Sequence, residues 1–302
     1  MTAGAPRGER LVFQGADLNR LVGTVYRGGA RPVLLLHGGG QTRHAFDDAA
    51  RRIAGAGFLA VTLDQRGHGE SEWVANGAYA FADYARDVEA VAAALRRESG
   101  LAPVAVGASM GGIASLSALG RSPDALAGLV LVDVTPRLDR SGVEAVLGFM
   151  AERAELGFSS IEEAADAIAA YLPHRERPRS LAGLRKNLRR SDDGRWRWHW
   201  DPRFIHGTRS IDQDAAATET ALLAAAAGLR APALLVRGRS SELVTEEHAR
   251  EFLALAPDAE YADIAGARHM VAGDRNDVFT AAILDFLTRR FGAAARALSA
   301  AD

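Results

Sequence analysis

Gly107-Ala108-Ser109-Met110-Gly111 decides the reading of this chain, because a serine flanked by spaced glycines stands where the apolar run 104–106 gives way to a helical pattern over 110–119. A residue on so sharp a strand-to-helix turn is held in a strained backbone conformation. Glycines two positions before and after it keep Cβ atoms clear of the turn and of the neighbouring strand. The Ser109 hydroxyl is thereby presented above the sheet as a candidate nucleophile. A helix beginning at Met110 also aims free backbone N–H groups and the positive end of its dipole at the same spot, where an oxyanion would form.

Outward from this turn, short apolar runs bounded by glycine or proline alternate with helical patterns, which predicts βαβ units around a mostly parallel sheet. Residues 11–26 read as a hairpin, and 32–36, 58–63, 104–106 and 129–132 as buried parallel strands. Helices are expected near 44–54, 81–97 and 110–119, the lengths that crossover connections require. The rhythm resumes with strands at 233–236 and 261–264 and helices at 245–255 and 277–290, with Thr245 as the N-cap ahead of Glu246 and Glu247.

Between them, residues 136–230 break the rhythm with successive helical patterns and no convincing apolar strand, and are expected to form a helical cap inserted into the core domain, 1–135 and 231–302. Ser160 and Glu163 suggest a capping box, followed by Ile161, Ala164, Ala165, Ile168, Tyr171 and Leu172 at helical spacing. The run 195–200, with Trp196, Trp198 and Trp200, reads as a half-buried extended segment roofing an apolar pocket. Together with Tyr171, these tryptophans are the candidate pocket wall. The alanine-rich stretch 215–227 reads as a helix returning to the core.

Composition removes several chemistries. The 302 residues carry no cysteine, so thiolate nucleophiles, disulfides and cysteine-bound metals are out. Lys186 is the sole lysine, a poor basis for Schiff-base chemistry. A net charge of -2 offers no basic surplus for nucleic acid. No apolar run approaches membrane-spanning length, and residues 1–10 lack the pattern of a signal peptide, so a cytoplasmic protein with no membrane association is expected. The expected partner is a small-molecule substrate, with no organic cofactor and no metal, and a homodimer is left open.

Two further segments agree with the serine turn. Leu36-His37-Gly38-Gly39-Gly40 is a strand running into bare backbone, so the Gly39 amide can join that of Met110 as the pair of oxyanion donors. His37, at the strand end, is expected to be structural. Asp64-Gln65-Arg66-Gly67-His68-Gly69-Glu70-Ser71 should form a self-hydrogen-bonded turn beside the site, with His68 a poor base.

These motifs, HGGG, DQRGHGES, GASMGG and the late GARHM, resemble the α/β-hydrolase superfamily over 31–134 and 231–291. In particular they resemble the serine-nucleophile branch holding epoxide-hydrolase-like proteins, cofactor-free haloperoxidases and carbon–carbon bond hydrolases. One departure matters: epoxide hydrolases place aspartate at the elbow, whereas Ser109 implies an acyl-enzyme. The resemblance implies a base on the loop after the last strand, where His269 stands, and an acid that fixes its tautomer. The family's commonest place for that acid is the loop after strand 233–236, which offers Glu242. Asp133, at the end of the strand before the cap, is the alternative. The expected reaction is cleavage of a small ester, lactone or related carbonyl substrate. Perhydrolase, haloperoxidase or carbon–carbon cleavage on the same fold is one alternative, and a non-catalytic ligand-binding protein another.

Overall fold

The computed structural model describes residues 6–171, 181–268 and 276–299, with side chains of the last helix described over 277–292. Eight strands form one sheet: β1 (Gly8–Gln14), β2 (Arg20–Arg27), β3 (Pro32–Leu36), β4 (Leu59–Asp64), β5 (Val104–Ala108), β6 (Gly128–Val132), β9 (Ala233–Gly238) and β10 (Glu260–Ile264). Their order is β1-β2-β4-β3-β5-β6-β9-β10. The β1–β2 and β2–β4 pairs are antiparallel and every pair from β4 to β10 is parallel. Strands β3, β4 and β6 are buried at every position, as a sheet covered on both faces requires.

Alternation along the strands sorts the core into two layers. Leu34, Leu36, Ala105, Leu129, Leu131 and Leu235 pack with α2 (Phe81–Ser99), α3 (Met110–Arg121), α8 (Ala215–Ala227) and α9 (Glu246–Leu255). Val33, Leu35, Val104, Val106, Val130 and Val236 face the other way, onto α1 (Asp47–Gly55) and the C-terminal helix Asn276–Ser299. The expected helix at 44–54 is divided: Arg43–Phe46 is a 3-10 turn that precedes α1. Its backbone is held there because Asp64, at the end of β4, accepts both the Arg43 amide (2.6 Å) and its guanidinium. Thr245 caps α9 as expected, accepting the His248 amide at 3.1 Å.

The segment between β6 and β9 contains α4 (Arg140–Glu152), α5 (Ile161–Tyr171), α6 (Ala182–Arg185) and α7 (Arg203–His206) before α8. It also holds two short strands: β8 (Trp196–Trp198) lies within the extended run expected over 195–200, and β7 (Leu188–Arg190), which helical periodicity did not reveal, pairs with it antiparallel. At three residues β7 is too short for an apolar alternation to register. Half of the capping box forms: Ser160 Oγ accepts the Glu163 amide, but the Glu163 carboxylate accepts from Ser159 rather than from the Ser160 backbone. Among the described residues no helix is long and apolar enough to cross a membrane.

Candidate active site

The carboxyl ends of β3, β5, β6, β9 and β10 lie side by side, and Gly39, Ser109, Asp133 and Glu242 follow the first four of them. Ser109 follows β5 with φ +46° and ψ −115°, outside the regions that L-residues occupy without strain. Packing maintains the bend. A Cβ on Gly107 would meet the Gly112 amide nitrogen at 2.5 Å, and one on Gly111 would meet the Leu36 carbonyl oxygen at 2.4 Å. Only hydrogen at these two positions lets α3 turn back against β5 and β3 so closely.

Asp133 occupies the equivalent place on the next strand. The last ladder pair of β5 and β6 is Ala108 with Val132, so Ser109 and Asp133 leave adjacent strands in register. The Ser109 amide donates to the Val132 carbonyl at 3.2 Å, and the Asp133 amide to Val236 at 2.7 Å. Asp133 is fully buried and takes a left-handed backbone, φ +49°. Its carboxylate accepts from the Gly238 amide (2.9 Å) and from the Ser241 hydroxyl (2.5 Å). Glu242, one residue further along that loop, is exposed and paired with Arg268. The loop after β9 therefore brings a hydroxyl, not its own carboxylate, to the sheet edge.

The glycine loop after β3 touches the serine turn: a Cβ on Gly38 would lie 3.5 Å from Ser109 Cβ. The Gly38 amide donates to Gln41 Oε1 and the Gly40 amide to His68 Nε2, whereas those of Gly39 and Met110 have no acceptor among the described residues. Two buried histidines hold this loop. His37 Nε2 accepts the Gln65 amide at 3.1 Å and His68 Nε2 accepts the Gly40 amide at 3.2 Å, which requires each Nδ1–H to donate, to the Gly38 and Arg66 carbonyls respectively. Burial pushes the His37 pKa down to about 4, helped by the Arg43 charge, and that of His68 to about 3, helped by His37. Both rings are neutral fixtures near pH 7, in keeping with the structural role expected of His37 and with His68 being a poor base. The 64–71 turn also forms as expected, with His68 N–H donating to Gln65 and Ser71 N–H to His68.

Residues of the 136–230 segment lie over the glycine loop. Positions taken by Cβ atoms on Gly39 and Gly40 would come 3.7 Å from the Phe204 ring, 2.7 Å from Met150 Cε and 3.6 Å from Trp200 Nε1. Trp200 is thus placed at the loop, and its backbone pairs with His68 in an isolated bridge. Trp198 is buried edge-on to Phe158, and Tyr171 stacks on Phe149 at 4.2 Å. Trp196 is only half-buried, its ring beneath the Arg185 guanidinium and its backbone paired with Phe158. Met150 and Phe204 were not legible as site residues, since each reads as one more apolar position in a helical pattern.

His269 lies outside the described residues, as does His174. The chain is described as far as Arg268, whose carbonyl oxygen comes within 2.4 Å of where a Gly238 Cβ would stand, while the Ser240 amide donates to Ala267. Other histidines have structural partners: His44 pairs with Asp47, His199 bonds Gly69, and His248 lies in the first turn of α9.

The comparisons with known proteins agree with this architecture. Residues 30–276 match the family model described as Serine aminopeptidase, S33. Esterase Rv0045c of Mycobacterium tuberculosis is 34% identical over 237 residues, covering 74% of this chain and 72% of that protein. The 2-(acetamidomethylene)succinate hydrolase of Mesorhizobium japonicum is 27% identical over 280 residues, 92% of this chain and 96% of its own. A solved structure of the M. tuberculosis esterase superposes with a TM-score of 0.73 at 30% identity, covering 95% of this chain and 93% of that one. With its mostly parallel sheet flanked by helices and a family match spanning most of its length, the chain is a hydrolase of the α/β-hydrolase superfamily and belongs to the Serine aminopeptidase, S33 family.

Proposed function

We propose that this hydrolase is a serine esterase acting on small carboxylic esters or lactones, with Ser109 as nucleophile, His269 as general base and Asp133 as the acid that orients it. The observation that carries the reading is the strained Ser109 backbone at the end of β5, pressed against a glycine loop with an unengaged amide. In this mechanism Ser109 Oγ attacks the carbonyl carbon while its proton passes to His269. The tetrahedral oxyanion is received by the Gly39 and Met110 N–H groups, each such donor typically contributing about 3 kcal/mol. Collapse expels the alcohol, which takes the proton back from His269. Water then attacks the acyl-enzyme by the same route and regenerates the serine.

Asp133 is preferred to Glu242 on burial and partners. A buried carboxylate one strand from the nucleophile, with two donors holding it, can keep an imidazole in one tautomer, whereas an exposed carboxylate bound to an arginine is screened. The base is supported by the path of residues 265–268 along the Gly238 to Ser240 loop, beside Asp133. The 136–230 segment serves as the cap, and its Met150, Trp200 and Phe204 give the glycine loop an apolar roof, favouring uncharged acyl groups. Tyr171, Trp198 and Phe149 extend that apolar layer, and Trp196 buttresses it from outside.

A fluorophosphonate probe and a panel of p-nitrophenyl esters, lactones, an enamide and a carbon–carbon cleavage substrate test the reading. Covalent labelling confined to Ser109, turnover of short-chain esters, and loss of at least about a thousand-fold of kcat/KM in Ser109→Ala are expected. Ester turnover that survives Ser109→Ala overturns it.

A further inference from the structure

We infer that Ser241 is a positioning residue for the reaction: its hydroxyl fixes the Asp133 carboxylate in the orientation that the general base requires. The inference rests on Asp133 being the acid of the proposed mechanism. Ser241 Oγ donates to Asp133 Oδ2 at 2.5 Å, a charge-assisted contact, while the Gly238 amide holds Oδ1. The same oxygen accepts the Leu243 and Val244 amides, each at 3.1 Å. A hydroxyl has one hydrogen to give, and the two amides occupy its acceptor side, so the proton is directed onto the carboxylate. Ser241 is thereby prevented from rotating, and its loop is anchored at its other side, where the Ser241 amide donates to Gly238. A buried carboxylate on a left-handed backbone, unable to relax through φ, depends on such donors for its side-chain orientation.

A merely structural serine would act on loop stability alone. A positioning serine acts on the chemical step, so its loss should lower kcat and leave KM unchanged. With p-nitrophenyl butyrate as probe substrate, Ser241→Ala is expected to lose about ten-fold or more in kcat with KM within two-fold, the ordinary effect of deleting a hydrogen bond to a charged group. Ser241→Thr, which keeps the donor, is expected to recover most of that loss. Should Ser241→Ala not be obtained folded, Ser241→Cys, which keeps the size but donates weakly, is compared with Ser241→Thr in the same way. Asp133→Asn, assayed alongside, separates the two levels of failure. Wild-type turnover in Asp133→Asn removes the acid assignment and the Ser241 role with it. An inactive Asp133→Asn beside a Ser241→Ala enzyme of unchanged kcat removes the Ser241 role alone.

Discussion

At the scale of single residues, the two carboxylates offered for the acid differ in burial and in partners. Glu242 stands in the loop the family resemblance points to, yet it is exposed with Arg268 for a partner, and Asp133 is wholly buried one strand from Ser109. Asp133→Asn is therefore expected to lower kcat/KM on the order of a thousand-fold, because the amide cannot stabilise an imidazolium and can select the wrong tautomer. Glu242→Gln should stay within about five-fold, since an exposed ion pair contributes ~1 kcal/mol at most. Steady-state kinetics of both variants check this pair, and an opposite ranking would return the role to Glu242.

At the scale of elements, glycines decide where α3 lies. A methyl at Gly111 would stand 2.4 Å from the Leu36 carbonyl oxygen, backbone that cannot swing aside, so Gly111→Ala must lift the start of α3 off β3. A loss of about 1–3 kcal/mol in urea unfolding and a fall in kcat are expected together, because the same shift moves the Met110 amide. Gly148 is the contrasting case: it lies in α4, exposed, with nothing within 4 Å of an added Cβ. Gly148→Ala should stabilise by about 0.5–1 kcal/mol through helix propensity. Equal stability changes of one sign in the two variants would contradict this account of the elbow.

At the scale of the whole molecule, the His37 and His68 pair ties three parts together, the glycine loop, the 64–71 turn and, through the His68 to Trp200 bridge, the 136–230 segment. Because burial depresses both folded pKa values, to about 4 and about 3, below the 6.5 of an ordinary histidine, the unfolded chain binds protons that the folded one refuses. The stabilisation is therefore complete above pH ~6.5 and is lost progressively as pH falls toward the folded values, at about 1.4 kcal/mol per pH unit for each ring. Urea unfolding between pH 7 and pH 5 should show this slope, and His37→Gln should show it reduced by about half. A variant slope equal to that of the wild type would mean the rings do not carry the acid sensitivity.

The core strands, the elbow serine and the structural histidines were legible because each is written locally: continuous apolar runs force burial on both sheet faces, and glycine spacing permits one kind of bend. Strand β7 as the partner of the extended 195–200 run, the roof made by Met150 and Phe204, and the outward turn of Glu242 were not, because none has a local signature. So the sequence by itself determined the class of fold, the position of the candidate nucleophile and the chemistry open to it. The tertiary structure alone decided which carboxylate and which hydroxyl meet beside that serine. Asp133 and Ser241 are 108 positions apart and come together only through the registers of β5, β6 and β9, a long-range pairing no window of sequence contains.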